Sequence, residues 1–83
     1  MRNKILLEIY LPAAERSFEV RIPLQLKVAQ ATVMLVEFLK KREGEYVPTE
    51  ECVLWDLEGG RGLDPNAFVA HAGLHNGAKV MLI

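Results

Sequence analysis

Two histidines, His71 and His75, stand four residues apart. On a helix that spacing puts two imidazoles on one face, where they can share a metal ion. Here Gly73 lies between them and Asn76-Gly77 follows at once. The segment therefore reads as turns, and no cysteine or carboxylate cluster completes a ligand set. Surface histidines are the plainer reading. Cys52 is a nucleophile only if a base or a helix N-terminus lowers its pKa. It opens a strand with neither nearby and reads as a structural thiol. Asp56, Glu58 and Asp64 are an imaginable acid–base set, but they flank the turn EGGRG, and turns attract such residues anyway. GGRG itself lacks the glycine spacing of a phosphate loop, and no long helix opens after it. The chain is expected to hold no catalytic residue, no metal and no cofactor, and not to be an enzyme.

The bulk properties narrow the class further. The 83 residues suffice for one domain, residues 1–83, and 51% are hydrophobic, so a core is affordable without a staple. A lone cysteine cannot form an internal disulfide, which fits a reducing compartment. The start, MRNK, has only three apolar residues before Glu8, so no signal peptide is read. The apolar run Val33 to Val36 is far too short to span a membrane. A cytoplasmic protein without membrane insertion is expected. Net charge is −1, from 10 basic and 11 acidic residues, which argues against a nucleic-acid partner.

Periodicity supplies the elements. Residues 4–11, KILLEIYL, put Ile5, Leu7, Ile9 and Leu11 on one face. After the turn PAAERS, residues 17–22 alternate cleanly, with Phe18, Val20 and Ile22 inward, and Pro23 ends the strand. The two make a hairpin. Residues 29–42 read as the one long helix. Thr32, Leu35, Val36 and Leu39 share one side, Gln30, Glu37 and Lys41 the other, and Met34 and Phe38 lie on the flank. Lys40, Lys41 and Arg42 complement the dipole in the last turn, and Gly44 stops the helix. Pro48 breaks the connection. Residues 52–57, CVLWDL, form a third strand, Gly62-Leu63-Asp64 a short fourth, and NAFVAHAG a helical turn. Asn76-Gly77 signals a tight turn before the last strand, 78–83. One sheet with a helix across one face follows. The connection rules favour the first and last strands side by side and parallel at its centre. This is an α+β, β-grasp arrangement of four to five strands.

In GLDPNAFVAHAGLHNGAKVMLI, the pattern Leu63-Asp64, helical turn, Gly73-Leu74, Asn76-Gly77 and alternating strand resembles the last third of ubiquitin-like domains. The hairpin and helix fit the same layout, so the resemblance covers the whole chain. Within that superfamily the chain is most similar to the bacterial YukD/EsaB group, stand-alone ubiquitin-like proteins associated with type VII (ESX-like) secretion. The features shared with that group are the start at the first strand, an aromatic in the third strand (Trp55) and an end with almost no tail. The resemblance implies an accessory or regulatory protein of a secretion system, with protein partners among the secretion machinery.

Ubiquitin and the sulfur carriers of this fold act through a slender tail ending in Gly-Gly, and glycine suits it because it has no Cβ. The strand at 78–83 reaches Ile83 instead, so the expectation is that the chain is not conjugated. Gly59-Gly60 is not a substitute: cleavage there would remove a central strand from a small core. Conjugable modifier or sulfur carrier, with a longer natural C-terminus, is the alternative reading. A self-associating subunit using Met34 and Phe38 or the sheet is the third.

What remains is surface. If Ile5, Leu7, Ile9, Phe18, Val20, Ile22, Val53, Trp55, Val80 and Leu82 face the helix, the other face carries Leu6, Glu8, Tyr10, Leu54, Asp56, Lys79, Met81 and Ile83. Leu6, Leu54, Met81 and Ile83 would then form an apolar patch over three neighbouring strands. Contiguous exposed apolar area marks interaction sites, and these four are the expected protein-binding residues.

Overall fold

The computed structural model describes residues 3–43 and 52–83. Gly44 and Pro48, read above as a helix stop and a break, lie outside the described residues. The chain opens with an antiparallel hairpin, β1 (Lys4–Leu11) and β2 (Arg16–Pro23). Alternation sets its faces: Ile5, Leu7 and Ile9 lie directly opposite Ile22, Val20 and Phe18. All are buried except Val20, which is half-buried against the same core. The connecting turn is closed by the N–H of Ala14 to Leu11 O and of Glu15 to Pro12 O, both 3.1 Å. It holds Glu15 at φ +52°.

Helix α1 (Val28–Glu43) extends the sequence expectation by one residue at each end. Val28, Ala31, Thr32, Leu35 and Leu39 are buried at helical spacing. The Thr32 hydroxyl donates to Val28 O at 2.9 Å, so its burial leaves no polar atom unpaired. Val36, expected inside, is only half-buried at the edge of the core. A helix start leaves N–H groups without intrahelical partners. Here Val28 N–H donates to Ala67 O at 2.8 Å and Ala29 N–H to Pro65 O at 3.0 Å, which ties the start of α1 to the later loop. The helical turn read at NAFVAHAG is a single 3-10 turn, Val69–His71.

β5 (Ala78–Leu82) lies parallel to β1, with Ile9 opposite Val80 and Tyr10 opposite Met81. β3 (Leu54–Asp56) is antiparallel to β5, and β4 (Arg61–Gly62) is antiparallel to β3. The five-stranded order is β2-β1-β5-β3-β4, with the first and last strands paired in the centre as expected of a β-grasp fold.

Two expectations fail on the β3 side. The fourth strand sits earlier, at Arg61–Gly62, because Leu63 turns into the core and is held by its N–H to Leu54 O at 2.9 Å. More consequentially, β3 has the opposite facing. Leu54 and Asp56, expected on the free face, are buried; Val53 and Trp55, expected inside, are not. The ladder pairs Leu54 with Leu82 and Asp56 with Val80, both inward-facing in β5. Asp56 is tolerated inside because it organises the next turn. Its Oδ1 accepts the Glu58 N–H at 3.1 Å, and its carbonyl accepts the Gly60 N–H at 2.8 Å. Leu54 is therefore a core residue and leaves the candidate patch.

Candidate functional site

The inverted facing of β3 rebuilds the free face of the sheet. A row of residues runs across all five strands in register: Ser17, Tyr10, Met81, Trp55 and Gly62. Met81 at its centre is half-buried between two aromatics on the neighbouring strands. Such aromatic and thioether neighbours pack favourably. Trp55 lies beside β4: a Cβ on Gly62 would lie 3.5 Å from Trp55 Cε3 and 3.8 Å from Val53 Cγ1. These are ordinary contact distances, so the indole and Val53 cover the backbone of β4 at Gly62.

Toward one end of the face, Val53 and Ile83 exchange two backbone hydrogen bonds, Val53 N–H to Ile83 O at 2.7 Å and Ile83 N–H to Val53 O at 3.0 Å. Val53 is 41% and Ile83 48% exposed, and Leu57, one step past β3, is 42% exposed. Toward the other end lies half-buried Leu6. Its N–H donates to Asn76 Oδ1 at 2.9 Å and its carbonyl accepts the Gly77 N–H at 2.8 Å. The Asn76-Gly77 turn, with Gly77 at φ +84°, thus pins the start of β5 onto β1. Charged residues flank the apolar row, with Glu8 between Glu19 on one side and Lys79 on the other.

Of the four expected site residues, Leu6, Met81 and Ile83 share this face and Leu54 does not. Sequence reasoning placed Tyr10 on the face without giving it a role, and it put Trp55 and Val53 inside. A cue was present in CVLWDL: a strand with apolar residues in both alternating sets leaves some of them outside whichever way it faces.

The other candidate residues do not converge. His71 meets Phe68 edge-on at 6.3 Å between ring centroids. His75 Nδ1 lies 2.8 Å from Asn76 O and its Nε2 lies 2.9 Å from Glu58 Oε1. With an acceptor at each nitrogen, the imidazolium is the form that satisfies both. The Asn76 carbonyl, followed by the Glu58 carboxylate, raises the His75 pKa above the ordinary 6.5. Cys52 is half-buried in an apolar groove of about 330 Å³ between α1 and β3, beside Val28, Thr32, Val36 and Leu63. Gly59 sits against Asp56: a Cβ there would lie 2.5 Å from Asp56 Oδ2. Among the described residues, no three His, Cys, Asp or Glu side chains group together as a metal site. No helix among them is long and apolar enough to cross a membrane.

Over residues 6–82 the chain matches the family described as WXG100 protein secretion system (Wss), protein YukD. The chain belongs to the YukD family. This makes it a ubiquitin-like module associated with type VII secretion, and ubiquitin-like domains of this kind are typically non-catalytic. No curated protein matches it. Among solved structures it is similar to a chain of the MycP5-free ESX-5 inner membrane complex in state II. That TM-score is 0.78 at 14% identity, covering 98% of this chain and 21% of the other. The chain thus spans about a fifth of that protein's length. It is also similar to the EccD5 ubiquitin-like domain from Mycobacterium xenopi, with a TM-score of 0.78 and 17% identity over 96% of this chain and 92% of that one. A third likeness is to a chain of the toluene 4-monooxygenase HD complex with the inhibitor 4-bromobenzoate. Its TM-score is 0.79 at 11% identity, covering 95% of each chain. At such identities these likenesses speak for the fold, which several functions share. The family assignment rests on the match along the sequence.

Proposed function

We propose that this YukD-family chain is a non-enzymatic protein-binding module, and that it docks onto a component of a type VII secretion complex on the cytoplasmic side of the membrane. The free face of the sheet is the docking surface, with Tyr10, Trp55 and Met81 at its centre and Leu6, Val53 and Ile83 around them. The observation that carries this reading is the row Tyr10–Met81–Trp55, in register over three adjacent strands and extended by the exposed Val53–Ile83 pair. An apolar centre with charged neighbours is the anatomy of a protein interface, and aromatic residues are the usual anchors.

The test compares the tagged protein with a Met81→Lys variant and a Tyr10→Ser/Met81→Ser variant for co-purification with the system's inner-membrane complex. The variants should stay folded by circular dichroism and lose binding by about tenfold or more, equal to about 1.4 kcal/mol. Normal recovery of the complex by a folded variant overturns the docking surface. The alternative reading, a conjugated modifier or sulfur carrier, is decided by intact mass after incubation with an activating enzyme and ATP. No adenylate, thioester or thiocarboxylate is expected, and any such adduct overturns the non-conjugated part. A solution mass of one chain is expected, and a stable dimer would favour the self-associating subunit.

A further inference from the structure

We propose that Asn76–Gly77 is a self-modification site: a spontaneous deamidation that two hydrogen bonds to Leu6 hold off while the sheet is closed, and that proceeds when β1 and β5 part at this end. The reaction is independent of any partner on the free face.

The chemistry is that of an asparagine followed by glycine, and Asn76 is the one asparagine of the chain so placed. The Gly77 main-chain nitrogen loses its proton to base and attacks Asn76 Cγ. The new N–C bond closes a cyclic imide, and the carboxamide C–N bond breaks to release ammonia. Water then opens the imide at either carbonyl, giving aspartate or isoaspartate with no change of oxidation state. Glycine permits the attack because no side chain shields its nitrogen. Crowding does not protect the site either. Asn76 and Gly77 are exposed, and a Cβ built at Gly77 would meet nothing within 4 Å.

Protection comes from two hydrogen bonds. Asn76 Oδ1 accepts the Leu6 N–H at 2.9 Å, and the Gly77 N–H donates to Leu6 O at 2.8 Å. Leu6 stands just before the parallel ladder, in which Leu7 faces Ala78. The two bonds therefore carry the β1–β5 pairing one step further, partly through a side chain. The first fixes the carboxamide, and turning Cγ toward the Gly77 nitrogen breaks it. The second stabilises the proton that must leave that nitrogen. The Ala78 N–H to His75 O bond, 2.9 Å, closes the turn around them. Electrophile and nucleophile are thus tied to the same distant residue, and fraying at this end of the ladder frees both together. Such an opening is smaller than global unfolding.

The two products differ in what they leave behind. Aspartate at 76 keeps an oxygen for the Leu6 N–H. Isoaspartate routes the main chain through the side-chain carbon and lengthens it by a methylene. That moves the Gly77 N–H off Leu6 O and puts β5 out of step with β1.

The test follows the mass gain of amide-to-acid exchange at Asn76 by peptide mapping, in mildly alkaline buffer at one temperature. It compares the folded chain, the chain unfolded in urea, and the capped peptide Gly-Leu-His-Asn-Gly-Ala-Lys-Val, the sequence of residues 73–80. The folded chain should react at least about tenfold more slowly than the peptide, an opening free energy of about 1.4 kcal/mol or more. The unfolded chain should react as the peptide does. In urea below the unfolding transition, deamidation and hydrogen exchange at the Gly77 amide should change in parallel, since one opening governs both. The separated isoaspartate form should melt below the Asn76→Asp variant and lose the native Leu6 and Gly77 amide shifts. A folded chain that deamidates as fast as the peptide overturns the proposal. So does deamidation that accelerates in low urea while the Gly77 amide stays protected. Equal melting and native shifts for the isoaspartate form and Asn76→Asp overturn the part given to the Leu6 bonds.

Discussion

Truncating Leu54 to alanine tests the facing of β3, on which the composition of the free face depends. Leu54 is 2% exposed and lies opposite Leu82, itself 1% exposed. A buried leucine cut to alanine loses its transfer free energy and leaves a cavity, for a total of about 2–5 kcal/mol. Neighbours held in a ladder cannot easily collapse into the gap, so a loss of about 3 kcal/mol, near the middle of that range, is expected. For 83 residues the unfolding entropy is about 0.17 kcal/mol/K, which converts that loss to a fall in Tm of roughly 17 °C. A domain of this size has about 4–12 kcal/mol in total, so the variant should fold but with little reserve. Val53→Ala is the matched control: Val53 precedes Leu54, is 41% exposed, and should cost no more than about 0.5 kcal/mol. Urea unfolding followed by Trp55 fluorescence and by far-ultraviolet circular dichroism measures both. The reverse ranking, with Val53→Ala severe and Leu54→Ala near neutral, would mean that β3 faces the other way. The Tyr10–Met81–Trp55 row would then not exist.

Three further outcomes follow from the turns. Gly59→Ala should destabilise by about 1–3 kcal/mol in chemical denaturation, because the new Cβ displaces the buried Asp56 carboxylate from the Glu58 N–H; a neutral result would mean that the carboxylate moves without loss. Glu15→Gly should stabilise by about 0.5–1 kcal/mol, since Glu15 occupies a left-handed conformation at φ +52°; a loss instead would show that its side chain holds the hairpin. His75 should titrate above the ordinary 6.5 in an NMR pH series, and Glu58→Gln should lower its pKa only part of the way, because the Asn76 carbonyl, the larger cause, remains. The sign is that of a raised histidine: its contribution to stability is complete below the unfolded-state pKa and fades as pH rises through the folded value. A His75 pKa at or below 6.5 would mean that the ring does not bridge Asn76 and Glu58.

The elements that could be read from sequence are those in which a single alternation set is apolar. In β2, Phe18, Val20 and Ile22 oppose Ser17, Glu19 and Arg21, so only one facing is affordable. A one-residue slip would bury two charges. The helix shows the same economy, with Leu35 and Leu39 on one side and Glu37 and Lys41 on the other. In CVLWDL the two sets are Cys52, Leu54 and Asp56 against Val53, Trp55 and Leu57. Local hydrophobicity favours burying the second, since the first contains a carboxylate. The decision is made elsewhere, by the ladder that sets Leu54 against Leu82 and by the turn in which Asp56 accepts the Glu58 N–H. Asp56 inside is affordable only because that turn satisfies it, and neither partner is visible in the strand's own pattern. The same inversion that removes Leu54 from the candidate site puts Val53 and Trp55 into it, and Leu57 beside them. A face expected to carry four apolar residues thus carries a larger apolar surface, with an aromatic on each side of Met81. Exposing Val53 and Leu57 and leaving Trp55 half-buried while burying a carboxylate runs against the usual economy of a small core. Such a conflict between local pattern and fold is the pattern expected of a surface that serves a partner, which is the role proposed above for the free face.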